Sequence, residues 1–333
     1  MKAIIPLAGK GTRLRPHTHI TPKPLVKVGG RPVMSYILDD LVEMGVLEAV
    51  FIVGYLGDVI RAYIEKEYPQ IRGHYVVQEV QDGTAGAVKL AEPWADEDLL
   101  IMFVDTIFDA DLSMVKSLDP EFAGVIWAKE VEDYQRFGVI LTGPDGAMTK
   151  IIEKPKEPVS KLANIGLYYI RDFDLLFEGI HHVIASPPGP SGEYFLTDAF
   201  QYMVDKGAKL KVAPVAGWYD CGKPDTLLET NQHLLEHMGR GGVDPKATVT
   251  GAEIVQPVRI EAGARITGGR IGPNVTIGKG TTVTDSLLAN SIVGDGTTLE
   301  RVDLHDSLLG SHAVVKGVKG VVSLADHSEV VGE

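Results

Sequence analysis

The octapeptide Gly9-Lys10-Gly11-Thr12-Arg13-Leu14-Arg15-Pro16 stands directly behind the apolar run Ala3–Leu7, and Thr21-Pro22-Lys23-Pro24-Leu25 follows it. From Met1 to Leu38 there is no Asp or Glu, in a chain whose formal net charge is −13. Glycines just after a strand let backbone N–H groups approach phosphate oxygens, and isolated cations nearby supply charge. Arg13 brings a planar fork of donors and Lys23 a point charge, while Arg15 and Lys27 are expected on a solvated face. Neither common glycine-rich cradle fits. Leu14 stands where a dinucleotide fingerprint needs its third glycine, Gly54 and Tyr55 follow the next strand without a ribose-binding acid, and no GK[ST] follows at P-loop spacing.

Two carboxylates are placed for a different task. Asp105 ends the apolar run Leu99–Val104, at the carboxyl end of a strand, where open α/β sheets place ligands; Asp220 follows Gly217-Trp218-Tyr219 before another glycine turn. Hard oxygen donors from separate segments, completed by phosphate and water, suit Mg²⁺. Read alone, an Asp after a strand serves equally as a helix cap or turn former, and Asp109 is near enough to compete with Asp105. Lys154 before Pro155 likewise reads either as a phosphate contact or as a surface turn.

The elements that must carry these residues change character along the chain. Up to about residue 235, strand-like runs (Ala3–Leu7, Ala49–Val53, Tyr75–Gln78, Leu99–Val104, Gly124–Ala128, Gly166–Ile170) are interleaved with stretches of helical apolar spacing (Tyr36–Glu43, Asp58–Glu67, Gly86–Leu90, Tyr194–Lys206). That order predicts a three-layer α/β domain with a mostly parallel sheet. Thr226–His237 reads as a closing helix and the glycines at 239–242 as a boundary. Beyond it, Ile260, Ile266, Ile271, Ile277, Val283, Val293, Leu299, Leu304, Leu309 and Val315 recur mostly every five or six positions, with frequent glycine. A helix cannot use such a repeat; a three-sided parallel β-helix can, and about four coils are expected.

The string PLAGKGTRLRPHTHITPKPLVKVGGRPVM resembles the signature of the sugar-1-phosphate nucleotidyltransferases, the nucleotide-sugar pyrophosphorylases. GTAGAV at 83–88, VDTIF at 104–108, RFGVI at 136–140, EKPK at 153–156, NIGLY at 164–168 and WYDCGKPDTLLETN at 218–231 follow in the family's order. The resemblance implies a Rossmann-like three-layer nucleotidyltransferase domain over 1–238 and a left-handed parallel β-helix of hexapeptide repeats over 243–333. It implies attack by a sugar-1-phosphate oxygen on the α-phosphorus of a nucleoside triphosphate, with pyrophosphate leaving. By the family pattern Leu7, Ala8, Gly9, Gly11 and Thr12 line the nucleotide, Arg13 holds pyrophosphate and Lys23 the α-phosphate. Asp105 and Asp220 hold Mg²⁺. Gln78 and Gly83 match positions that read a pyrimidine edge in thymidylyltransferase-like members, and Thr84 beside them is a further substrate contact. Gly138 lets the sugar approach the backbone, Glu153 accepts from its hydroxyls, Asn164 and Glu193 fall on the sugar side, and Lys154 binds the sugar phosphate. Val104 replaces a usual glycine and Thr106 a common asparagine, which touches substrate fit more than metal binding.

The expected activity is Mg²⁺-dependent transfer from TTP or UTP to glucose-1-phosphate, in the cytoplasm, by a homo-oligomer assembled through the β-helix. A mannose-1-phosphate guanylyltransferase, a non-catalytic nucleotide-sugar-binding regulator, and a bifunctional enzyme using His305, His312 or His327 for acyl transfer are the alternatives. Length favours two domains over one core. No apolar run approaches membrane-spanning length and no signal peptide opens the chain. A single cysteine, Cys221, excludes a disulfide framework, and ten histidines show no zinc-ligand spacing. The acidic balance argues against nucleic acid as a partner.

Overall fold

The computed structural model describes residues 1–189 and 192–332. Compact packing groups them into two units that cut across chain order: Met1–Gly9 with Tyr36–Trp218, and Lys10–Ser35 with the chain from Tyr219 onward.

The first unit is built on a mixed sheet. Ala3, Ile4 and Ile5 are all buried in succession, so both faces of the strand Lys2–Pro6 are covered, as a central parallel strand requires. It pairs in parallel with Glu48–Val53 and Leu99–Met102, and Arg72–Val77 extends the parallel side. On the other side Leu162–Ile170 runs antiparallel to Leu99–Met102, with Tyr168 opposite Ile101. It also contacts the hairpin Gly138–Thr142/Met148–Glu153 and pairs with Phe122–Glu130, which takes Lys209–Pro214 in parallel. The mostly parallel sheet therefore extends only as far as Leu99–Met102. The hairpin, unexpected from sequence, turns at Gly143-Pro144-Asp145-Gly146, and its second strand exposes Thr149 and Lys150.

Among the described residues five helices belong here, the first from Tyr36 onward: α1 (Val33–Met44), α2 (Gly57–Glu67), α3 (Thr84–Lys89), α4 (Phe173–Ala185) and α5 (Leu196–Asp205). Helices α3, α4 and α5 bury Val88, Leu176, Phe177, Ile180, Phe200 and Met203 in one core with Ile4, Ile52, Ile101, Ile126 and Tyr168 of the sheet. Sequence spacing did not single out α4, whose start is capped by Asp172 Oδ1 accepting from Leu175 N at 3.1 Å.

In the second unit the stretch Lys10–Ser35 joins α6 (Pro224–His237) and a parallel β-helix. One face of the β-helix stacks six strands: Gly242–Val243, Val258–Ile260, Val275–Ile277, Ser291–Val293, Leu308–Leu309 and Ser323–Leu324. That is more than the four coils expected. Successive coils advance 17 residues from Ile260 to Ile277, 16 from Ile277 to Val293 and 15 from Leu309 to Leu324. Strict hexapeptides would need 18 per three-sided coil, so tighter corners fit more coils into the same length. Ile266, Ile271, Val283, Leu299, Leu304 and Val315 fill the interior. At the corners Thr281 and Thr297 donate to Gly294 O and Gly310 O, each at 2.8 Å, so buried carbonyls keep partners. Among the described residues no helix is long and apolar enough to cross a membrane.

Candidate active site

The second unit carries the cationic loop. Leu14 is fully buried and pins a one-turn helix, Thr12–Leu14; similar turns follow at His17–His19 and Lys23–Leu25. Gly11 has φ +61°, and a Cβ there would stand 2.9 Å from Lys23 Cβ, so glycine is what lets the Lys23 segment fold back. Thr18 closes the same turn by donating to Gly11 O at 2.8 Å. Gly11, Thr12, Arg13 and Lys23 thereby share one small loop. Asp220 joins it from the far end of the sequence. A Cβ on Gly222 would lie 2.8 Å from Asp220 Oδ1 and 2.9 Å from Arg13 Nη2, so guanidinium and carboxylate close around one glycine. Gly222 N donates to Asp220 Oδ1 at 2.7 Å and Thr230 Oγ1 to Asp220 O at 3.1 Å, which orients the carboxylate. Arg15 is exposed as expected, but Lys27 is not on a solvated face: its Nζ donates to Asp295 Oδ2 at 2.6 Å and lies 3.9 Å from Glu261 Oε2. Its place beside acidic residues of the β-helix is what sequence reading could not see.

The first unit carries the remaining expected residues. Leu7 N donates to Ile52 O at 2.7 Å, and Ala8 O accepts from Gln81 Nε2 at 2.7 Å, which fixes the chain entering Gly9. The Gln78 amide is buried; its nitrogen donates to Asp82 Oδ1 at 3.1 Å and, more weakly, to Gly83 O at 3.4 Å. Thr84 Oγ1 accepts from Leu196 N at 2.8 Å, so its hydroxyl joins the start of α3 to that of α5.

On the antiparallel side Gly138, Glu153 and Asn164 come together. A Cβ at Gly138 would stand 2.5 Å from Asn164 Nδ2 and 2.9 Å from Glu153 Oε2. Asn164 donates to Gly138 O at 3.2 Å and accepts from the Tyr168 hydroxyl. Thr197 Oγ1 donates to Glu153 Oε2 at 3.0 Å. Burial holds the Glu153 carboxyl above the usual carboxylate range; the Thr197 hydrogen bond and the Lys154 charge pull against this, while Asp198 and Glu193 add to it. Tyr168 is raised by burial first and then by Glu153 and Asp105, which places the phenol and both carboxylates in one neighbourhood. Lys154 is exposed and sits at φ +44°, a costly conformation for a residue before proline. Its Nζ stands 4.8 Å over the Phe195 ring and 3.9 Å from Glu153 Oε1.

The half-buried carboxylates Asp105 and Asp220 offer hard oxygens suited to Mg²⁺. Among the described residues no three His, Cys, Asp or Glu side chains form a ready metal cage. A divalent ion held by either carboxylate would take the rest of its shell from phosphate and water, as Mg²⁺ normally does. Sequence reading missed Tyr168, Thr197, Phe195 and Gly222. Tyr168 and Gly222 lie inside motifs already singled out; Thr197 and Phe195 carry no local signal.

The nucleotidyl transferase family model matches residues 2–237. The chain is 35% identical over 241 residues to the UTP–glucose-1-phosphate uridylyltransferase AglF of Haloferax volcanii, covering 71% of this chain and 97% of that one. It is 30% identical over 357 residues to a glucose-1-phosphate thymidylyltransferase of Streptomyces griseus, covering 98% of each. A solved chain from Bacillus anthracis, assigned as a glucose-1-phosphate thymidylyltransferase and in complex with a sucrose, is similar at a TM-score of 0.60 and 27% identity, over 69% of this chain and 94% of that one.

Proposed function

The chain belongs to the nucleotidyl transferase family, and we propose that it transfers a nucleotidyl group from TTP or UTP to a sugar-1-phosphate, glucose-1-phosphate foremost, releasing pyrophosphate. A phosphate oxygen of the sugar-1-phosphate attacks the α-phosphorus; the new P–O bond forms as the bond to the bridging β-oxygen breaks, and the pair leaves on pyrophosphate. Such a displacement asks the protein for alignment and charge more than for covalent chemistry. Backbone N–H groups of Gly9–Thr12 cradle the phosphates, Arg13 receives the charge building on pyrophosphate, and Lys23 sits at the α-phosphate. Lys154 holds the incoming sugar phosphate, while Glu153 and Asn164 accept or donate to sugar hydroxyls. Asp105 and Asp220 would hold Mg²⁺, which supplies charge neutralisation between the phosphates.

What carries this reading is the meeting of Arg13 and Asp220 around Gly222, a cation and a metal-suited carboxylate beside the glycine loop. The Gln78 contacts add selectivity. Its amide nitrogen donates to Asp82 and Gly83, which leaves the oxygen to act as the acceptor toward a base. An acceptor suits the imino N–H of thymine or uracil. Guanine also offers an N–H, so GTP with mannose-1-phosphate belongs in the same assay. We assign residues 1–238 to the transfer reaction and 243–333 to the β-helix, through which the chain assembles into a homo-oligomer, and we place the reaction in the cytoplasm. Mass analysis of the products tests the chemistry: a nucleoside diphosphate sugar and pyrophosphate are expected, and an unmodified sugar phosphate after incubation with every NTP overturns it.

A further inference from the structure

Three successive outward positions on the six-stranded face of the β-helix are not exposed. Thr276, Ile292 and Leu308 are stacked in register and point away from the interior filled by Ile277, Val293 and Leu309, yet they are 2%, 4% and 5% exposed. On another face the outward Leu287 is 46% exposed. The covering material comes from the same compact unit: α6 packs on Ser291–Val293, and the stretch Lys10–Ser35 is bonded along the row.

These bonds form a series. Asn231 of α6 is fully buried, and its Oδ1 accepts from Gly29 N at 3.0 Å and from Thr276 Oγ1 at 2.7 Å. Its Nδ2 reaches Asn274 O at 3.4 Å. Lys27 follows on Asp295, at 2.6 Å. On the last coils Thr21 Oγ1 donates to Asp326 Oδ2 at 2.7 Å, and the buried His17 ring shares a hydrogen bond between Nε2 and Ser323 Oγ at 2.9 Å.

The cationic loop needs such support because it has little of its own. Its three one-turn helices have no side-chain cap, and among the described residues its only strand pairing joins Lys27–Val28 to Arg31–Pro32. The anchors at His17 and Thr21 lie in sequence between Arg13 and Lys23. They therefore fix the backbone that joins the two cations, where a displacement of about 1 Å is enough to cost a hundredfold in rate. We infer that Ser323 and Asp326 of the last coils are positioning residues for nucleotide binding, acting through His17 and Thr21 on Arg13 and Lys23. The β-helix is then part of the nucleotide site's framework as well as a scaffold. This rests on the reading that Arg13 and Lys23 meet the triphosphate.

The test uses full-length protein carrying Thr21→Val, Ser323→Ala or both, with Thr21→Ser as the conservative control. Pyrophosphate release is measured with each substrate varied in turn, TTP affinity by calorimetry, and integrity by thermal unfolding. In the double variant the KM and Kd for TTP rise roughly tenfold, the loss expected for one charged and one part-buried hydrogen bond. The KM for the sugar phosphate stays at the wild-type value, and Thr21→Ser restores wild-type TTP binding. An unchanged Kd for TTP overturns the inference. So does an equal weakening toward both substrates with a lowered unfolding temperature, which marks a merely structural role. A wild-type protein that releases no pyrophosphate removes the proposed reaction instead, and the calorimetric comparison still decides the role of Ser323 and Asp326.

Discussion

Thr197 donates its hydroxyl hydrogen to Glu153 Oε2 at 3.0 Å, and that bond is one of two interactions that help a buried carboxylate stay ionised. Burial above all raises the Glu153 carboxyl from its ordinary value of 4.5. The native state therefore holds this proton to higher pH than the unfolded chain does, and stability falls as pH rises from the unfolded value through the native one. Glu153→Gln removes that penalty. Its unfolding temperature at neutral pH should exceed wild type, while the KM for sugar-1-phosphate rises roughly 10–100-fold, the range for a lost charged hydrogen bond. Thr197→Val should move the acid limb of the activity profile to higher pH. A scan of unfolding temperature and kcat/KM against pH checks both.

Gly222→Ala tests the closure of Arg13 and Asp220. The added methyl would lie under 3 Å from both groups and has to push them apart. A fall of roughly a hundredfold in kcat/KM is expected from misplaced charge, with a modest loss of stability measured by denaturant unfolding.

Asp105→Asn and Asp220→Asn should each raise the Mg²⁺ concentration for half-maximal activity by roughly 10–100-fold, the range that lost metal-site partners reach. Chelation should abolish pyrophosphate release and added Mg²⁺ restore it. Titration of activity against free Mg²⁺ makes the comparison.

His17 is pushed down from 6.5 to about 4, first by burial, with Asp326 opposing. Between those values the unfolded chain binds a proton that the native state refuses, so stability is present above 6.5 and is lost as pH falls toward 4. Unfolding midpoints measured across this window should decline in the wild type, and His17→Gln should flatten the decline.

Much of this arrangement was legible in the sequence because its chemistry is local. GKGTRLRP and PKPL carry their glycines and cations within a few residues, and the loop they form is the one expected. Lys27 was misread because its acidic partners, Glu261 and Asp295, lie more than two hundred residues away. Helix α4 was passed over although Leu176, Phe177 and Ile180 have helical spacing, because Gly179 interrupts it; that glycine lies against the α5 backbone, near Ala199 O. The coil number was underestimated because the repeat was read only from Ile260 to Val315, while Val249 and Ile254 before it and Leu324 after it pack against the same interior. Thr197 and Phe195 are brought to Glu153 and Lys154 only by the pairing of α5 with the hairpin strand Met148–Glu153.

Pyrophosphate release across a matrix of nucleoside triphosphates and sugar-1-phosphates, with Mg²⁺ present, tests the central claim most directly. The account predicts release with glucose-1-phosphate and TTP or UTP, lost in Arg13→Ala and Lys23→Ala. Release confined to GTP and mannose-1-phosphate, or none with any pair, would contradict it.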